Sequence, residues 1–169
     1  MSLIRGLAIL VIVAAAIYAE YRCCYLPAVC NRVEKEAQAT TIRALDLGSY
    51  RSASIARVTI DRLNRCAESW PTDVGGLMIL AANQQILGRP DQAAQTYQSA
   101  LIYDKRPELY LNLGLALAQA GRRDEARTAL IRAAVFAPAM ADEIPDAQLK
   151  SEVQSAVAAR DAQIRGMRP

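Results

Sequence analysis

The sequence predicts an all-α protein: a superhelix of about three helical hairpins with a C-terminal capping helix, preceded by one N-terminal hydrophobic helix. Three observations carry this reading. A short residue pattern occurs twice at an offset of about 33 residues, the signature of stacked helical repeats. Apolar residues recur at three- and four-residue spacing, while the alternation and Asn-Gly turns of strands are nearly absent. The chain also opens with an uncharged apolar run.

The repeated pattern is Gly88, Ala93, Tyr97 and Ala100, which returns as Gly121, Ala126, Leu130 and Ala133. Upstream, Leu77, Leu80 and Ala81 correspond to Tyr110, Leu113 and Gly114, and Arg89 and Asp91 correspond to Arg122 and Asp124. Each unit reads as two helices joined by a tight turn. Leu77, Leu80, Ala81 and Gln84 share one helix face. Gly88 then supplies the left-handed residue that ends a helix, and Pro90 suits the first turn of the next. Asp91 complements the positive end of that helix's dipole. The small residues allow close helix approach, and Tyr97 fills the space between hairpins.

These residues resemble the tetratricopeptide repeat family over residues 74–140. Tyr110, Leu113, Gly114, Gly121, Ala126, Leu130, Ala133 and Pro138 meet the family's order of a large residue, Leu, a small residue, a Gly turn, Ala, an aromatic, Ala and Pro. Leu130 departs at the aromatic position, and Lys105 stands where the first unit should carry Pro. The resemblance implies that the first helix of each hairpin lines a concave face where a protein or peptide partner binds. Carried over by register, that face comprises Met78, Ile79, Ala82, Gln85 and Ile86, then Glu108, Leu111, Asn112, Leu115 and Gln119. Asn112 matches an asparagine the family uses to hold a peptide backbone. The lysines of a carboxylate clamp are missing, so an acidic chain end is not the expected ligand. In the competing arrangement the C-terminal helix folds back and fills the groove.

Two units are too few to bury a continuous core, so the flanks are expected to complete the stack. Residues 31–47 and 50–69 read as a degenerate hairpin. Val33, Ala37, Ile42 and Leu45 precede a turn at Gly48; Ala53, Ile55, Ala56, Val58, Ile60 and Leu63 follow it, and Trp70-Pro71 ends the helix. Pro145-Asp146 starts a capping helix carrying Leu149, Val153, Val157 and Ile164, with a polar opposite face. The predicted organisation is an anchor or signal segment over 1–26, the degenerate hairpin over 27–72, two repeat units over 73–140 and the cap with its tail over 141–169.

The run from Gly6 to Ala19 is about 21 Å long as a helix, shorter than the roughly 30 Å of bilayer hydrocarbon. Alone it matches a signal-peptide core with small residues at Ala14-Ala15-Ala16 or Ile17-Tyr18-Ala19. Extended from Leu3 to Leu26 it spans a bilayer if Glu20 and Arg22 snorkel to the surface, with Tyr18, Tyr21 and Tyr25 as an interfacial belt. Arg22, Arg32 and Lys35 outnumber Arg5 plus the amino terminus, which favours a cytoplasmic repeat domain.

The cysteines argue the other way. The chain has four cysteines, Cys23, Cys24, Cys30 and Cys66, and no histidine. No C-x-x-C spacing occurs, so neither zinc binding nor Cys–His catalysis is expected. Cys30 begins one helix of the degenerate hairpin and Cys66 lies near the end of the other, so the antiparallel ends bring them together. A bridge there implies an oxidising compartment. The alternatives are Cys66 as a buried small hydrophobe, or Cys24 as the partner of Cys30.

A net charge of +3 without a basic stripe gives no nucleic-acid footprint; the short Arg165–Arg168 tail is a solvated end. No phosphate loop, nucleophile elbow or metal cluster points to catalysis, a cofactor or a small-molecule substrate. The expected protein is a non-enzymatic, single-pass bacterial inner-membrane adaptor with its repeats in the periplasm. It would bind a partner protein in an envelope assembly. The alternatives are a soluble exported form after signal cleavage, a cytoplasm-facing domain, or a fixed accessory subunit of a larger membrane complex.

Overall fold

The computed structural model describes residues 2–45, 49–69 and 73–166, and is all-helical over them. The Gly48 turn, the Trp70-Pro71 stop and the end of the Arg165–Arg168 tail fall outside those residues. Helix α1, Ser2–Glu20, runs through a π-helical turn, Tyr21–Tyr25, directly into α2, Leu26–Leu45. Together they form one rod of roughly 65 Å at 1.5 Å per residue. The boundary expected at residue 26 therefore lies inside a continuous helix, not in a linker.

Pro27 accounts for the π turn. A proline within a helix has no N–H to donate, and its ring clashes with the carbonyl four residues back. Widening the preceding turn relieves that clash, and the Leu26 amide accordingly bonds to the Tyr21 carbonyl, five residues back. The Tyr21 and Tyr25 rings stack across this turn with centroids 5.6 Å apart.

Helix α3, Ser49–Ser69, returns antiparallel to α2. Cys30 and Cys66 form a disulfide across the far end of this hairpin, with Cα atoms 5.5 Å apart. One turn further, Arg62 donates to Glu36 at 2.6 Å. The phase of α2 differs from expectation at one position. Cys30, Ala37 and Thr41, spaced by seven and four, face inward, so Ile42 points outward and is 58% exposed. On α3, Ala56, Ile60 and Leu63 are buried, and Val58 lies on the opposite side, 61% exposed. Here the apolar pattern was broader than the buried stripe.

Two regular hairpins follow, α4 (Val74–Ile86) with α5 (Pro90–Ala100), and α6 (Pro107–Gln119) with α7 (Arg123–Phe136). Asp73 caps α4, its carboxylate accepting from the Gly76 amide. Both hairpins turn through glycine in the left-handed region, Gly88 at φ +67° and Gly121 at φ +77°. The termini share one hydrogen-bond pattern. Arg89 N–H reaches Gln84 C=O and Gly88 N–H reaches Gln85 C=O; Arg122 to Leu117 and Gly121 to Ala118 repeat it, all at 2.9–3.0 Å. Pro90 and Pro107 occupy the first turns of α5 and α6. The unit-closing position is Lys105, as read from the sequence, and a proline follows two residues later at the start of α6.

The core is contiguous from Ala37 to Val153. Successive helices pack from α2 to α7, and the first helix of the first hairpin, α2, also packs on α4. Gly114 sets the closeness of α6 to α7: a Cβ there would sit 2.5 Å from Leu130 Cγ and 3.2 Å from the Ala126 carbonyl oxygen. A 3-10 segment, Pro138–Glu143, leads to α8, Ala147–Gly166. Helix α8 buries Leu149 and Val153 against α7, capped by Asp146, whose carboxylate accepts from the Leu149 amide at 2.8 Å. Ile164, expected on the same apolar face, is 46% exposed.

On α1, Leu7, Leu10, Val11, Ile12 and Ile17 are all exposed. Among the described residues one helical stretch is long and apolar enough to cross a membrane, Leu10–Arg43, which runs from α1 into α2.

Candidate interaction face

Helices α4 and α6 carry the residues expected to meet a partner. Met78, Ile79, Ala82, Gln85 and Ile86 are half-buried on α4, as are Asn112 and Leu115 on α6, and Gln119 is exposed at its end. Met78, Ile79 and Leu115 rest against the core while keeping part of their surface outside it. Leu111 differs: at 4% exposure it is a core residue and offers little surface to a ligand. It follows Leu109 and Tyr110, also buried, in an arc of α6 wider than the buried arc of α4.

A hydrogen-bonded row fixes part of this face. The Tyr97 hydroxyl, from α5, donates to Gln85 Oε1 at 3.3 Å. Gln85 Nε2 in turn donates to Gln119 Oε1 at 3.0 Å, joining α4 to α6. Tyr97 is 2% exposed, and burial pushes its phenol well above the usual tyrosine range, so the hydroxyl keeps its proton as a donor. Gln85 and Gln119 thus bring together two of the expected residues from separate repeats. Helix α8 packs on α7 and the 3-10 segment, which places it at the end of the stack and not over the α4–α6 face.

Sequence reasoning missed Asn83. Its side chain is fully buried between hairpins; Nδ2 donates to Thr41 Oγ1 at 2.7 Å and to the Ile79 carbonyl at 2.8 Å. Thr41 passes the chain on to the Ala37 carbonyl at 2.8 Å. Asn83 Oδ1 is buried without a hydrogen-bond partner among the described residues. Register held the signal, since the equivalent position one repeat later is the buried alanine Ala116.

A second apolar surface lies at the other end of the stack. Between α2 and α3, Val33, Ala37, Ile55, Val58 and their neighbours line a cavity of about 310 Å³. Beside it, Tyr25, Ala28, Val29, Arg32, Val33 and Arg62 line another of about 410 Å³, next to the π turn. This is the outer face of the first hairpin, which no preceding hairpin covers.

The folded part is a tandem array of helical hairpins. Residues 107–130, from the start of α6 into α7, match the family model of the tetratricopeptide repeat. The chain therefore carries a tetratricopeptide repeat, a unit that characteristically serves as a scaffold for protein–protein interaction. No curated protein matches the chain.

Proposed function

We propose that this protein is a membrane-anchored, periplasm-facing adaptor whose α4–α6 face binds a partner protein or peptide in a cell-envelope assembly. The observation that carries the reading is the open α4–α6 face itself. Its apolar side chains are half-buried, the Tyr97–Gln85–Gln119 row links α4 to α5 and α6 across it, and the terminal helix docks elsewhere. A pre-ordered, mildly apolar face with an adaptable methionine suits an amphipathic helix or an extended apolar segment. Asn112 is the residue to hold the partner's backbone. The Cys30–Cys66 bridge supports an oxidising compartment, and α1, left bare by the fold, supports an anchor.

The test is photo-crosslinking in the native host from an amber-encoded probe at Ile79 or Asn112, with Gln95 on the outer side of α5 as control. Adducts of one defined mass from both face positions and none from Gln95 are expected. The same adducts at Gln95, or none from either face position, would remove the α4–α6 face as the binding surface. A partner that co-purifies stoichiometrically and survives both Ile79→Glu and Asn112→Ala would make the chain a fixed accessory subunit instead.

A further inference from the structure

The helices of the stack alternate in direction, and their contacts fix which ends lie together. Glu34 of α2 lies beside Gly75 of α4, and Thr41 meets Asn83, so α2 and α4 run the same way from the same level. Helix α5 returns along α4, and Gln85 meets Gln119, both in the last turns of their helices, so α6 runs with α4. Tyr110, in the first turn of α6, stacks on Phe136 at the end of α7, with centroids 6.3 Å apart. The end of α2 that continues into α1 therefore shares one edge of the stack with the α5–α6 loop and the end of α7. The turns at Gly88 and Gly121 form the opposite edge. Helix α8 starts near that opposite edge, where Arg123 pairs with Asp146. Its Val157 and Ala158 line one cavity with Ala134 and Pro138, so its last turns run past the anchor-side edge.

The two edges differ in character. Among the described residues after Asp73, the exposed large apolar side chains are Ile102, Tyr103, Phe136 and Ile164. Ile102, 74% exposed, and Tyr103 stand in the α5–α6 loop, Phe136 ends α7, and Ile164 lies in the last turn of α8. All of them stand on the anchor-side edge or beyond it. The opposite edge presents Gly88, Arg89, Gly121, Arg123 and Asp124 to solvent. Exposed apolar residues scattered singly need no explanation, but their collection at one end of the stack marks a surface that meets something apolar. Lys105, Arg132, Arg160 and Arg165 are exposed at the same end, where the acidic residues are Glu108, Asp161 and Asp104, the last paired with Arg106.

The distances bring this edge to lipid. Gly75 lies level with Glu34, about 12 Å along the rod from Leu26, the end of the spanning segment read from the sequence. The headgroup layer fills about 5–7 Å of that gap. Helices α6 and α7 stand about 20 Å to the side of α2, so the ordinary tilt of a spanning helix, about 20°, lowers their ends by about 7 Å more. We propose that the anchor-side edge of the repeat stack lies on the surface of the membrane that holds α1. Ile102, Tyr103 and Phe136 sit in the headgroup layer with the last turns of α8 beside them, and the basic side chains meet anionic lipid phosphates. The proposal rests on the anchor reading given above. Tyr103 adds to the tyrosines of the rod a further aromatic ring with a polar tip at headgroup depth. In this posture α4 and α6 stand along the membrane normal, and a partner reaches their face by moving in the plane of the bilayer.

The experiment places full-length protein, isotopically labelled at its isoleucine methyl groups, in nanodiscs of phosphatidylethanolamine and phosphatidylglycerol. One preparation carries a nitroxide in the acyl chains and another a gadolinium chelate on the headgroups, and methyl NMR reads the broadening. The acyl-chain label should broaden Ile12 and Ile17. The headgroup label should broaden Ile102 and Ile164 several-fold more than Ile42 and Ile86, which lie in the last turns of α2 and α4 at the opposite edge. Ile102→Asp/Phe136→Asp should lower the broadening of Ile164 several-fold and leave the Ile86 methyl shift in place. Ile102 and Ile164 broadened no more than Ile42, with Ile12 still broadened by the acyl-chain label, would overturn the edge contact and keep the anchor, leaving the patch to a protein neighbour. Broadening of Ile164 unchanged in the double variant would overturn the part given to Ile102 and Phe136. Ile12 untouched by the acyl-chain label would overturn the anchor and the edge contact together.

Discussion

Asn83 of α4 and Thr41 of α2 meet at 2.7 Å in the protein interior, and their contact joins the first hairpin to the second. The pair does for this junction what small apolar residues do for the next, where Ala116 occupies the Asn83 position. A buried polar contact of this kind contributes about 1 kcal/mol net. A double-mutant cycle with Asn83→Ala and Thr41→Val is expected to return a coupling energy of about that size. A coupling indistinguishable from zero in urea unfolding would show that the two side chains act independently.

The glycines of the second repeat should fail for different reasons. Gly114→Ala drives a methyl group into Leu130 and is expected to destabilise by about 1–3 kcal/mol through overpacking. Gly121→Ala meets no neighbour but must hold a positive φ, at about 1–2 kcal/mol. Leu130→Ala should rescue much of the Gly114→Ala defect and none of the Gly121→Ala defect, as read from thermal midpoints.

The Cys30–Cys66 bridge closes a loop of 36 residues. Removing it as Cys30→Ser/Cys66→Ser should cost about 3–4 kcal/mol by the loop-entropy relation. The loss should concentrate in α2 and α3, whose sequence departs most from the repeat pattern. Hydrogen exchange resolved by helix should show those two opening while α6 and α7 keep their protection.

Docking of α8 should depend on acid. The Asp146 carboxyl is held below the usual aspartate range, first by the Leu149 amide it accepts from and then by the Arg123 guanidinium. A depressed folded-state value means the stabilisation is fully present above the ordinary aspartate value and is lost as pH falls through the lower, folded one. Amide protection in the first turn of α8 should therefore decline below about pH 4. Asp146→Ala should lower that protection at neutral pH and flatten the acid dependence. An unchanged acid profile in the variant would assign the effect to other carboxylates.

The row from Tyr97 to Gln119 makes a separate prediction for the interaction face. Tyr97→Phe removes the donor to Gln85 Oε1 while keeping the ring. The domain should stay folded with a small stability loss, and the Gln85 and Gln119 side-chain amides should gain fast-timescale mobility by NMR relaxation. Unaltered amide dynamics would show that the Gln85–Gln119 contact needs no support from α5.

The sequence alone determined the helical class, the repeat register and both glycine turns, and it made Cys30 with Cys66 one of the candidate pairings, which the structure then formed. These follow from local rules: left-handed glycine ends helices, small residues recur where backbones approach, and a hairpin aligns its two open ends. Three features awaited the tertiary structure. The buried arc of α2 turned Ile42 to solvent because Cys30, Ala37 and Thr41 set its phase, and apolar spacing alone could not rank those faces. Leu111 became core within a buried arc of α6 that is wider than that of α4. Asn83 became a junction only when α2 and α4 were stacked, since Thr41 lies 42 residues away in the chain. Periodicity states which residues share a face of one helix; which faces meet depends on every helix packed around it.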